Sequence, residues 1–102
     1  VVTYPISIKR SLYRGSNASK KAKARECNRA ASLLEEHINK QLRNQTSPVQ
    51  QYMYHTIARE IGIDEGVVRA LCFSIESGHN GFTAYRHDLS LQEAIDMHHA
   101  NS

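Results

Sequence analysis

The chain has no tryptophan, two phenylalanines, two prolines and two cysteines in 102 residues. Cys27 and Cys72 stand alone, so a disulfide framework is not expected, and buried thiols in a reducing cytoplasm are. No apolar run approaches the roughly 18 residues that mark a membrane span. No basic-then-apolar leader is visible, and the first residue is Val1 rather than methionine, as in a trimmed or partial chain. Acidic residues are scarce at one end. Residues 1–43 hold ten Lys/Arg and three Glu, a net +7, and residues 44–102 hold three Arg and seven acids, a net −4, which together make +3. A half this basic suits a polyanionic partner or an acidic protein surface, and equally a solvated helix face.

Enough apolar residues remain, 40%, for a single globular domain with a modest core. Val2, Tyr4, Ile6 and Ile8 alternate with polar residues or proline, which predicts a short edge strand or arm within residues 1–18. Arg14-Gly15-Ser16-Asn17 reads as a turn. A long basic helix is expected over 19–43, with Cys27, Ala31, Leu34, Ile38 and Leu42 as one apolar stripe. Lys20, Lys21, Lys23, Arg25 and Arg29 crowd its first turns, where cations oppose the helix dipole. That cost implies an anionic partner, or a lead-in that is not helical. After an Asn44-Gln45-Thr46 linker, Ser47 as N-cap and Pro48 as first residue predict a helix ending at Gly62. Asp64 caps a second helix running to about Glu76. Asn80-Gly81 suggests a hairpin over 77–89 returning through Phe82, Ala84 and Tyr85. Ser90 and Glu93 have capping-box spacing, so a terminal helix is expected over 90–100, with Leu91, Ala94, Ile95 and His98 on one face.

The segment YHTIAREIGIDEGVVRALCF, residues 54–73, resembles the helix-turn-helix superfamily. Ala58 stands at that family's small position, Gly62 at its turn, and Ile57, Ile61, Ile63, Val68 and Leu71 at its buried positions. The Gly-His-Asn-Gly turn followed by Phe-Thr-Ala-Tyr-Arg is similar to the hairpin of winged-helix members. The fold class implied is mainly α with a small β-hairpin, a winged helix-turn-helix (47–76, wing 77–89) preceded by the long basic helix.

The resemblance implies duplex DNA as partner, with transcription regulation or DNA organisation as the role and a homodimer as the binding unit. The dimer contact would come from the Cys27–Leu42 stripe or from the terminal helix. On the second helix the outward positions are Glu65, Gly66, Arg69, Ala70 and Phe73, with a core position as the alternative for Phe73. Arg69 is the best base reader, because a guanidinium pairs with guanine O6 and N7. Gly66 and Ala70 allow close approach, and Glu65 can accept from cytosine N4. Tyr54, His55 and Thr56 would meet phosphates, with burial an equal reading for Tyr54. His79, Asn80 and Arg86 would serve the wing. Lys20, Lys21, Lys23, Arg25 and Arg29 would supply salt-sensitive affinity. Two other readings stay open: a protein-binding winged module, and RNA binding through the basic helix alone.

No catalytic constellation, cofactor loop or metal site is expected. His98 and His99 point about 100° apart on a helix and rarely share a metal. His79-Asn80 and His87-Asp88 lack the strand and helix spacing of a nuclease pocket. Cys27 has no histidine placed to activate it.

Overall fold

The computed structural model describes residues 2–75 and 80–100. Among them are four helices, α1 (Ala18–Arg43), α2 (Tyr54–Ile61), α3 (Glu65–Cys72) and α4 (Leu91–Ala100), and two strands, β1 (Val49–Met53) and β2 (Gly81–Tyr85). The strands pair antiparallel, with Tyr52 opposite Phe82. The molecule extends 55 × 23 × 21 Å and its radius of gyration is 15.5 Å, against about 13 Å for a compact chain of this length. The excess length follows from α1.

Helix α1 forms where its alanines and long straight side chains predict it. Asn17 caps it, its side-chain oxygen accepting from the Lys20 N–H at 3.1 Å. Ala31, Leu34, Ile38 and Leu42 are buried as one stripe. The stripe begins one turn later than expected, because Cys27 is exposed. Nothing in α1 before Ala31 is buried, so its first half carries no core.

The expected helix start at Ser47-Pro48 is not found: Val49–Met53 is strand β1. Local capping signals lose there to tertiary pairing. Tyr52 stacks on Phe82 with centroids 5.4 Å apart, and the Pro48 carbonyl accepts from the Arg86 N–H at 2.9 Å. The same pairing revises the hairpin over 77–89. The antiparallel sheet exists, but α2 and α3 lie between its strands in sequence, so it is not a local hairpin. Gly81 enters the sheet where a Cβ would run into the Tyr52 carbonyl oxygen.

The amino-terminal segment also differs from the strand expected. Only Val2 bridges β2, beside Ala84. Ile6 and Ile8 are buried as the alternation required, but their N–H groups donate to side chains of α1: Ile6 to Asn39 Oδ1 and Ile8 to Glu35 Oε1, each at 2.8 Å.

Gly62 closes α2 in the left-handed region at φ 70°, and Asp64 Oδ2 accepts from the Gly66 N–H at 2.9 Å to open α3. A side chain at Gly62 would meet strain rather than a neighbour. Helix α3 ends at Cys72, short of the expected Glu76, which lies outside the described residues. The capping box at α4 is present: Ser90 Oγ accepts from the Glu93 N–H at 3.2 Å, and Glu93 Oε1 from the Ser90 N–H at 3.4 Å. Only Ala94 of its predicted face is fully buried, while Leu91 and His98 are exposed.

The two thiols now have opposite fates. Cys27 is open to solvent, and Cys72 is buried, which pushes its thiol up to about 12. A thiol reagent at pH 8 is expected to label one cysteine of the folded chain and two in urea, and Cys27→Ser should abolish the native label. Because the folded Cys72 holds its proton more tightly than the unfolded one, its contribution to stability is complete below the ordinary cysteine range and declines as pH rises from there towards 12. Equal labelling of both thiols in the native state would contradict the buried placement.

Candidate nucleic-acid interface

Three elements bring cations and small side chains to one region. The first is the projecting half of α1. Lys20, Lys21, Lys23, Arg25 and Arg29 are all exposed on it, and between residues 9 and 29 eight Lys/Arg face a single acid, Glu26. The second is the outer face of α3. Glu65, Gly66, Arg69 and Ala70 are exposed, and Arg69 Nη2 lies 3.2 Å from Glu65 Oε2 one turn earlier. An exposed i,i+4 pair of this kind is worth only about 0.3–0.5 kcal/mol, so the guanidinium exchanges it readily for another acceptor.

Between these two elements runs an open groove of about 530 Å³, with Lys23, Glu26, Cys27 and Ala30 on the α1 side and Asp64, Gly66, Val67 and Ala70 on the α3 side, so that two carboxylates share it with one lysine. It unites three of the predicted contact residues. Val67 is 38% exposed and Phe73 71% exposed, so the alternative of Phe73 as a core residue is overturned. The helix stops at Cys72, and the Phe73 side chain leaves the packed face.

The third element was not anticipated from sequence. Residues Lys9, Arg10 and Ser11 border a second groove of about 600 Å³ with Ala70, Leu71, Phe73 and Ser74. Ala70 and Leu71 line both grooves, so α3 runs between the basic half of α1 at one end and the amino-terminal arm at the other.

Other predicted residues lie elsewhere. Thr56 is exposed in a separate groove with Gln41, Gln50 and Glu60, and His55 is exposed at the start of α2. Tyr54 is buried against Phe82, with ring centroids 6.4 Å apart, which overturns its expected phosphate contact. Arg86 is already engaged: Nε donates to Asp88 Oδ1 at 2.6 Å and Nη1 to the Thr46 carbonyl at 3.0 Å. The same hydrogen bond and charge hold the Asp88 carboxyl below its ordinary range. Asn80 is exposed, its carbonyl accepting from the Tyr54 N–H at 2.9 Å, and His79 lies outside the described residues.

Sequence reasoning also missed Gln45. It falls in the expected Asn44-Gln45-Thr46 linker, yet it is 6% exposed and joins three segments. Its Nε2 donates to the carbonyls of Ser47 and Ala84, and its Oε1 accepts from the Tyr52 hydroxyl at 2.8 Å. Burial raises the Tyr52 hydroxyl above its ordinary range. Asn28, Glu35 and Asn39 were missed too. Their spacing of seven and four residues puts them on one helix face, a polar stripe that a helical projection of α1 would have displayed. Near the other end of α1, His37 Nε2 lies 3.5 Å from Glu60 Oε1, an ion pair whenever the imidazole is protonated.

Among the described residues no helix is long and apolar enough to cross a membrane, and no three His, Cys, Asp or Glu side chains gather as a metal site. The His98 and His99 rings sit 6.1 Å apart, edge to face. Comparison with protein-family models, curated proteins and solved structures returns no match.

Proposed function

We propose that this chain is a small DNA-binding protein of helix-turn-helix type, acting in transcription regulation or DNA organisation. The observation that carries the reading is the open outer face of α3, lying beside a helix half that bears five exposed cations. A helix about 11 Å across fits the major groove, and α3 is joined to α2 through the left-handed Gly62 turn that lets it stand apart. Arg69 is the base reader, and Gly66 and Ala70 let the backbone approach base edges or a thymine methyl. Lys20, Lys21, Lys23, Arg25 and Arg29 take phosphates. In this reading the sheet packed on α2 would serve as the wing, but with Arg86 held by Asp88 and Thr46 its share of binding is small. One α3 covers half an operator, so a two-fold dimer is the working unit, and the reading implies a nucleoid location in the cytoplasm.

A second reading draws on Val67 and Phe73, whose exposure suits a protein partner on the same helix. The two readings separate in a gel shift on random duplexes at two ionic strengths, followed by selection of bound sequences. Duplex binding that strengthens with falling salt supports the first, and its absence at low salt rejects it. Arg69→Ala is expected to relax preference at one base position at a cost of about 1–3 kcal/mol. A selected sequence unchanged by that substitution would remove Arg69 as a reader.

A further inference from the structure

We propose that residues 9–14 form a second phosphate-gripping element, a basic strap fixed on α1 by Asn28. The proposal rests on the duplex reading above and deepens it. Ile6 and Ile8 tie the start of the strap to the core, but from Lys9 to Ala30 no residue is buried. Beyond Ile8 it is held by a side chain of α1. Asn28 spends its whole amide on one residue, Oδ1 accepting from the Ser11 N–H at 2.7 Å and Nδ2 donating to the Ser11 carbonyl at 3.1 Å. Glu35 takes the Ile8 N–H, and Asn39 closes the same two-bond ring on Ile6.

The spacing explains why the strap lies straight along the helix. Seven helical residues from Asn28 to Glu35 rise about 10.5 Å, and three extended residues from Ser11 back to Ile8 span about 10 Å. Four helical residues from Glu35 to Asn39 rise about 6 Å, and two extended residues from Ile8 to Ile6 span about 6.6 Å. The helix face thus acts as a strand edge, in register with an antiparallel segment.

The arrangement fixes where the charges stand. Arg10 is spent internally, its guanidinium on Glu35 and on the Ile8 carbonyl. Lys9 and Arg14 remain exposed, each outside any ion pair described. Lys9 borders the groove at the carboxyl end of α3, and Lys23 the groove nearer its start. One free lysine thus stands towards each end of the α3 face, Lys23 beside Glu26 and Asp64 and Lys9 with no acid lining its groove, where each can meet a phosphate. Fixing them in advance spares the ordering entropy that a loose arm loses on binding.

The test is fluorescence anisotropy of a random-sequence duplex against potassium chloride, with circular dichroism to check that each variant is folded. The double variant Lys9→Ala/Arg14→Ala is expected to lower the salt slope by about two. Asn28→Ala keeps every cation, so the slope should stay near that of the parent while affinity falls about tenfold at all salt concentrations, because the arm is no longer pre-ordered. A parental slope in the double variant, or parental affinity in Asn28→Ala, overturns the strap and leaves the duplex reading standing. A parent chain that binds no duplex at low salt overturns both.

Discussion

Converting Lys20, Lys21 and Lys23 together to alanine is expected to weaken binding to every duplex by about 10²–10³-fold near 0.1 M salt. Each phosphate neutralised contributes about 0.9 to the slope of log affinity against log salt, so the slope should fall by about three. The loss cannot be attributed to unfolding. All three lysines are exposed at a helix amino terminus that holds no acid in its first turn. Alanine there improves helix propensity and removes cations that oppose the dipole, so the variant should be as stable as the parent or slightly more stable. Anisotropy titrations on unrelated duplexes at several salt concentrations would measure the effect. A slope equal to the parent's would mean that the projecting half of α1 is only a solvated face.

Replacing Gln45 with alanine should destabilise the fold by about 1–3 kcal/mol, measured by urea unfolding. Without the Gln45 side chain the hydroxyl of the buried Tyr52 loses its partner, while the Ala84 carbonyl, opposite Gln50 in the β1–β2 ladder, loses only its second one. One orphaned buried group costs about 1–3 kcal/mol. The pair Gln45→Leu/Tyr52→Phe removes donor and acceptor together and should therefore lose less than the two single changes summed. Additive losses would show that the Tyr52–Gln45 bond contributes nothing.

Signals that act within one or two helical turns were legible in the sequence. The Gly62 turn, the Asp64 cap and the Ser90–Glu93 capping box each depend on residues a few positions apart and appear where the residues predicted them, and the Cys27–Leu42 stripe appears without its first member. The charge imbalance that marks the candidate interface was equally plain, because it needs only a count. The partner of each strand was not legible. Ser47-Pro48 carries a genuine helix-start signal, but Val49–Met53 has Gly81–Tyr85 to pair with about thirty residues later, and buried backbone groups satisfied in a sheet outweigh a local cap.

The sequence alone therefore determined where helices could begin and end and where positive charge would collect. Only the tertiary structure decided that Gln45 is a buried junction, that Phe73 and Cys27 face solvent, and that the arm belongs to α1 rather than to a sheet. The physical reason is one of distance along the chain. A cap or a stripe is paid for by neighbours, whereas a buried amide or an orphan strand is satisfied by whichever distant group the packed chain brings to it.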